Sequence, residues 1–301
     1  MGADREPPRV PRTLWMYWHQ GWRCAPDLVT RCAATWRAHN PTWELRLLDA
    51  ATIGETVTLP RTARVLDLPL PALSDVTRIC LLQKYGGVWA DATLWCTRPL
   101  DDWIETVTAR SGFFAYDRPG PDRPISSWFL AANSQCRIVD LWHAATVSLL
   151  AKTRAHARVR RVLDGAARHP LRLAFSRAIT GYLSWRFGYR SLSIPTSDPP
   201  QHGDYFWFHY LFGALLEQNA EFRRLWAATP RISADGPHLL QRAGLLNPAT
   251  IRTDAAIRNG LSNVFKLSWR VSRSDDISGT VLETLYRSAP TEALNAVRRR
   301  G

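Results

Sequence analysis

Residues 73–93 read LSDVTRICLLQKYGGVWADAT. Val76, Ile79, Cys80 and Leu82 recur at helical spacing, so 73–85 is expected to be a helix. Ser74 is placed to cap it, and Gly86-Gly87 to end it. Asp75 and Arg78 lie three apart and share one helix face. The short apolar run Val88-Trp89-Ala90 then leads into Asp91, with Thr93 two residues on. Ligands of open α/β sheets bind beyond the carboxyl ends of strands, and Asp91 stands at such an end. Asp75 and Arg78, on the helix before that strand, are expected to line the same crevice. Carboxylates accept from sugar hydroxyls, and a guanidinium suits phosphate. Spacing alone leaves a second reading open, in which these are surface charges or helix-terminal acids.

Outward from this stretch the chain alternates strands and helices. TLWMYW (13–18) reads as a buried strand, and 26–39 as a helix opened by Pro26 and ended by Asn40-Pro41. ELRLL (44–48) is a second strand, followed by Asp49 in position to cap the next helix. Two further strands are expected at 113–116 and 128–132, then a helix over 137–150. Beyond a proline-rich loop, Asp204 precedes the apolar helix YFWFHYLFGALLEQN, and a short helix covers 221–228. Pro237-His238 reads as a turn, VFKLSW (264–269) as a late strand, and 287–301 as a frayed tail. The fold class is therefore α/β.

The 301 residues suffice for one large domain, or one domain with an insertion, and 46% hydrophobic content fits a globular chain. No run of about 18 apolar residues predicts a transmembrane helix. The N-terminal MGADREPPRVPR has no apolar signal-type core, which points to the cytoplasm. Five cysteines at irregular spacing form no CxxC pair, so free thiols are expected rather than disulfides or structural zinc. The net charge of +13 is concentrated: residues 151–190 hold ten Lys/Arg and one acid. Two readings stand for the second half of that segment. One is a basic helix on an anionic membrane surface, the other an insertion packed on the domain with its arginines in water. Fourteen tryptophans supply flat platforms for sugars and bases, although most belong to the core.

The string SDVTRICLLQKYGGVWADAT resembles the signature of the capsular polysaccharide synthesis proteins, a branch of glycosyltransferase family 32. VPRTLWMYWHQG, LPLPALSD, ISSWFLAAN, DYFWFHYLF, GPHLLQ and FKLSWR resemble other family blocks, in order, over about residues 10–270. The resemblance implies a GT-A fold spanning 10–285, interrupted by a basic insertion at 151–203 and flanked by flexible tails at 1–9 and 287–301. It implies a retaining transfer from a nucleotide sugar, UDP- or GDP-linked, to a glycan or a polyprenyl-phosphate-linked glycan, in capsular or surface polysaccharide synthesis. The large clostridial glucosylating toxins share the same helix-and-strand pattern. High Arg and Ala content suggests a GC-rich bacterial source.

Carried over by position, Trp18 stacks on the nucleotide base, Asp75 accepts from donor-sugar hydroxyls and Arg78 holds the sugar or its phosphate. Asp91 touches the ribose and the metal shell. Thr93 stands where the broader class has the acid that binds the metal directly, and the capsular branch resembles this chain in having Asp-Ala-Thr there. Mn²⁺ or Mg²⁺ is the implied cofactor, with Asp91 as ligand and His238 or Ser268 as candidate partners. For His238 the competing reading is a hydrogen-bonded turn histidine. Asp204 is expected to cap its helix, to face the anomeric carbon as nucleophile or stabiliser, or both. Ser126, Ser127, Trp128 and His209 are acceptor-side candidates, with edge-strand hydroxyls and a core histidine as the plain alternatives.

Two rival classes remain. One is a noncatalytic nucleotide-sugar-binding relative. The other is a polyanion-binding basic protein, against which the charge lies in one segment and no nucleic-acid-binding motif is present. The functional expectation is an enzyme on the inner face of the cell membrane, attached peripherally through 151–190.

Overall fold

The computed structural model describes residues 8–65, 68–121, 123–165, 205–271 and 276–300. Its strands are β1 (Thr13–Tyr17), β2 (Glu44–Leu48), β3 (Gly87–Ala90), β4 (Leu94–Cys96), β5 (Phe113–Gly120), β6 (Arg123–Ala132) and β7 (Val264–Lys266). Five of them form a mixed sheet in the order β2-β1-β3-β6-β5. β1 runs parallel to both β2 and β3, while β6 is antiparallel to β3 and β5. β4 and β7 pair antiparallel in a separate ribbon. This is the α/β class expected.

Alternation along the strands divides the core. Trp15 and Tyr17 of β1 face one side of the sheet, Leu14 and Met16 the other. Helices α1 (Asp27–His39), α2 (Ile53–Thr56), α3 (Arg61–Val65), α4 (Leu70–Tyr85), α5 (Ile104–Thr108) and α6 (Arg137–Gly165) belong to the first half of the chain. Then come α7 (Trp207–Gln218), α8 (Ala220–Ala228), α9 (Asp235–Ala243), α10 (Ile251–Arg258), α11 (Val281–Arg287) and α12 (Thr291–Arg300). α4, α6, α7 and α8 cover the Trp15 face through Ile79, Trp142, Phe208 and Trp226. α1, α5 and α12 cover the Leu14 face through Trp36, Ile104 and Val297. Each such side chain contributes about 1.5–3 kcal/mol by leaving water. A third cluster, with Trp95, Phe265, Leu240 and Leu285, packs α9 and α11 on the β4–β7 ribbon. The five cysteines are free thiols, four of them buried.

Several expectations shift. α4 begins at Leu70, three residues early, because Pro71 fits a first turn whose N–H groups lack helical partners anyway. Ser74 therefore lies inside the helix and accepts from Arg78 Nη2 (3.2 Å) instead of capping. α6 continues from 150 to Gly165, so the first residues of the expected insertion extend a helix. The rest of that insertion, 166–203, lies outside the described residues. Pro237-His238 is no turn: both lie in α9, with Pro237 in its first turn. The supposed frayed tail contains α12, whose buried Leu294 and Val297 pack it toward α1. The late strand is shorter than read, ending at Lys266. Among the described residues no helix is long and apolar enough to cross a membrane.

Candidate active site

The site opens at the carboxyl ends of β1 and β3. Beyond β1, the Trp18 N–H donates to the Leu48 carbonyl (2.9 Å); beyond β3, the Asp91 N–H donates to the Trp128 carbonyl (2.9 Å). The glycine pair sets where β3 emerges. Gly87 has φ 91°, and a Cβ there would lie 2.5 Å from the Thr13 carbonyl oxygen. Any side chain would push β3 off β1.

A cleft of about 760 Å³ lies at this edge. Trp18, Asp75, Arg78, Asp91, Thr93, Ser127, Trp128, His209 and His238 all line it. Ser126 does not share this role: its hydroxyl donates to the Tyr116 carbonyl (2.8 Å). Ser268 is not among the lining residues, and its Oγ accepts from the Arg270 N–H (3.3 Å). Asp204 lies outside the described residues; α7 begins at Trp207 with Phe206 at the cap position and no side-chain cap.

At the floor lies a compact charge cluster. Arg78 donates to Asp75 Oδ1 and, through Nη2, to Asp91 Oδ1 (3.2 Å). Its guanidinium also lies 5.2 Å from the Trp89 ring centroid. Asp91 Oδ1 accepts a second donor, Trp89 Nε1 (2.9 Å). Lys266 completes the cluster: its Nζ donates to Asp91 Oδ2 (2.9 Å) and to Thr93 Oγ1 (2.8 Å). Asp75 and Arg78 are both only 5% exposed. Burial raises the Asp75 pKa to about 7, against the opposing pull of Arg78. Burial also opposes ionisation of Asp91, but Lys266 and Arg78 outweigh it and hold its carboxyl below the usual range. Burial, with Arg242, Lys266 and Arg123 nearby, lowers the His238 pKa to about 4, so its imidazole is neutral at physiological pH. Its ring packs edge-on to Trp128 at 5.5 Å.

The expected divalent ion does not fit this donor set. Mg²⁺ and Mn²⁺ favour several hard oxygens in octahedral array. Both oxygens of Asp91 and the hydroxyl of Thr93 are already engaged by cations or N–H donors. Among the described residues no group of three or more His, Cys, Asp or Glu is arranged to hold a metal.

Several lining residues escaped the sequence reading: Lys266, Trp269, Arg270, Arg123, Arg242 and Tyr205. Trp269 stands edge-on to Trp18 at 6.2 Å, so the two form an aromatic corner. A charged residue between apolar neighbours in VFKLSW was the available signal for Lys266.

The sequence profile of the capsular polysaccharide synthesis protein family matches residues 3–157, about half of the chain. The chain belongs to this family. The family match includes Trp18, Asp75, Arg78, Asp91 and Thr93 but stops before β7 and Lys266. The curated O-glycosyltransferase PaGT of Phomopsis amygdali is 26% identical over 190 residues, covering 57% of this chain and 45% of that protein. O-glycosyltransferase braB of Annulohypoxylon truncatum is 27% identical over 158 residues, 46% of this chain and 37% of that protein. This family member thus spans less than half the length of either curated relative. A solved structure, the ligand-free glycosyltransferase domain from the YGT toxin, aligns over 84% of this chain and 89% of its own at 9% identity, with a TM-score of 0.46.

Proposed function

We propose that this chain is a glycosyltransferase of GT-A type that takes its sugar from a nucleoside-diphosphate donor. The observation that carries the reading is the convergence of Asp75, Arg78 and Asp91 at the floor of one cleft beneath the Trp18–Trp269 corner. The names of PaGT and braB, both O-glycosyltransferases, support transfer to an oxygen acceptor. Family membership supports a surface-glycan acceptor, free or linked to a polyprenyl phosphate.

The residues divide the work as follows. Trp18 and Trp269 pack against the nucleobase. Asp91 and Asp75 accept from ribose and sugar hydroxyls, and Arg78 fixes both carboxylates in place. The cleft carries five cationic side chains, Arg78, Arg123, Arg242, Lys266 and Arg270, against the two carboxylates. That excess suits a diphosphate and stabilises it as it leaves. Transfer proceeds with retention: the acceptor oxygen bonds to the anomeric carbon as the bond to phosphate breaks. The leaving phosphate takes the acceptor proton, so no second protein base is needed. Ser127, Trp128 and His209 line the acceptor side, and Asp204 is the candidate to face the anomeric carbon. The basic segment 151–190 is assigned to anionic lipid at the inner membrane face.

A thermal-shift panel of UDP, GDP, CDP and ADP tests the donor reading. A ligand at about 100 times its dissociation constant adds roughly 2.7 kcal/mol of stability. Stabilisation by one nucleotide class is the expected result. No stabilisation by any of the four removes the donor reading and favours a polyanion-binding role.

A further inference from the structure

Lys266 reaches Asp91 and Thr93 at once, from a strand 175 residues beyond the first and 173 beyond the second. The register explains how. Lys266 is the last residue of β7 and pairs with Leu94 of β4, so its side chain projects beside the turn that carries both partners. The adjoining Leu267 N–H donates to the Thr93 carbonyl (3.0 Å), which locks that register. Phe265 and Leu267, on either side, are buried in the third core cluster, leaving Lys266 to face the cleft.

We propose that Lys266 is the diphosphate-binding cation of this site, standing between the two motif side chains so that donor binding and transfer need no divalent metal. The proposal rests on the nucleotide-sugar reading above. An ammonium has three N–H groups, and Asp91 and Thr93 take two. The third is left to donate to a phosphate oxygen in the cleft. A threonine where a second carboxylate would stand suits this arrangement. A hydroxyl orients the ammonium without neutralising it, whereas a second carboxylate would cancel the charge that the diphosphate needs. Asp91 holds Lys266 in place and shares its own charge with Arg78.

During transfer the bond from the anomeric carbon to the β-phosphate oxygen breaks, and its electron pair stays on that oxygen. The bond from the acceptor oxygen to the anomeric carbon forms, and the acceptor proton passes to the phosphate. Lys266 stays protonated throughout, its hydrogen bond strengthening as charge builds on the leaving oxygen.

The test is isothermal titration of the full chain with UDP, GDP, CDP and ADP, once in EDTA and once in MnCl₂. Three proteins are compared: wild type, Lys266→Met, and Thr93→Asp combined with Lys266→Ala. Circular dichroism checks that each is folded. Wild type is expected to bind one nucleotide with the same affinity in both buffers. Lys266→Met is expected to lose about 10- to 100-fold in both, the usual cost of one charge-assisted hydrogen bond to phosphate. The double variant, with two carboxylates and no ammonium, is expected to recover binding only with Mn²⁺. Wild-type binding that requires Mn²⁺ overturns the proposal, and so does a folded Lys266→Met with unchanged affinity. If Lys266→Met fails to fold, the wild-type comparison alone decides. Wild type that binds none of the four nucleotides in either buffer overturns the donor reading itself, and the Lys266 assignment with it.

Discussion

One wall of the cleft comes from α4 and β3, the other from β7 and the segment that follows it. The first wall sits on a sixteen-residue helix and a fully buried strand. Its charges, Asp75 and Arg78, are themselves buried and locked together. The second wall hangs on a three-residue strand and ends in Trp269, 52% exposed. The two meet at Asp91, which takes Arg78 on one oxygen and Lys266 on the other. The contrast separates two tasks. In the proposed reading the early wall fixes the carboxylates that accept from sugar hydroxyls. In the same reading the late wall offers a cation and an aromatic face to the donor, both nearer to solvent.

The largest expected effect falls on the early wall. Arg78→Ala strands Asp75 and Asp91 without their shared cation, and urea unfolding should register a loss of about 3–5 kcal/mol. A loss below about 1 kcal/mol would mean that the cluster does not anchor that wall. Lys266→Met should cost less, about 1.5–3 kcal/mol, because Asp91 keeps Arg78 and Trp89. Equal losses at the two positions would erase the distinction between the walls.

Titration sharpens the comparison further. Asp75 has its pKa raised from 3.8 to about 7, so across that window the folded chain holds a proton that the unfolded chain has released. Its contribution to stability therefore falls as pH rises from 3.8 to about 7, and levels off above. Asp91, lowered from 3.8, acts oppositely: its contribution is present above 3.8 and is lost as pH falls through its folded value. Melting temperature against pH should show a shallower fall in Asp75→Asn than in wild type. An identical slope would assign the buried proton to another group. The smallest effect belongs to Trp269→Ala. Stability should stay within about 0.5 kcal/mol, as for most exposed positions, while nucleotide affinity drops. A clear fall in stability would make Trp269 part of the core instead.

The early wall was legible because its signals are local. Helical spacing joined Asp75 to Arg78, the Gly86-Gly87 break marked the helix end, and three apolar residues delivered Asp91. The late wall depends on pairing across 173 residues, which no local pattern reports. VFKLSW read as a strand, yet nothing nearby told that Lys266 would meet Asp91 and Thr93. The extra turn at the start of α4 was missed because proline suggests a break, although a first turn tolerates it. α12 was missed because its terminal arginines outweighed Leu294 and Val297, the two residues that bury it. The metal expectation followed from the motif by analogy, and the described side chains around Asp91 do not make a metal site.

The most direct test of the account is to follow nucleotide-sugar hydrolysis by ³¹P NMR, with water in the acceptor's place, offering UDP- and GDP-sugars to wild type and to Asp91→Asn. Wild type should release nucleoside diphosphate from one donor class, and Asp91→Asn should release little or none. No release from any donor, or equal release by the variant, would contradict a donor site built around Asp91.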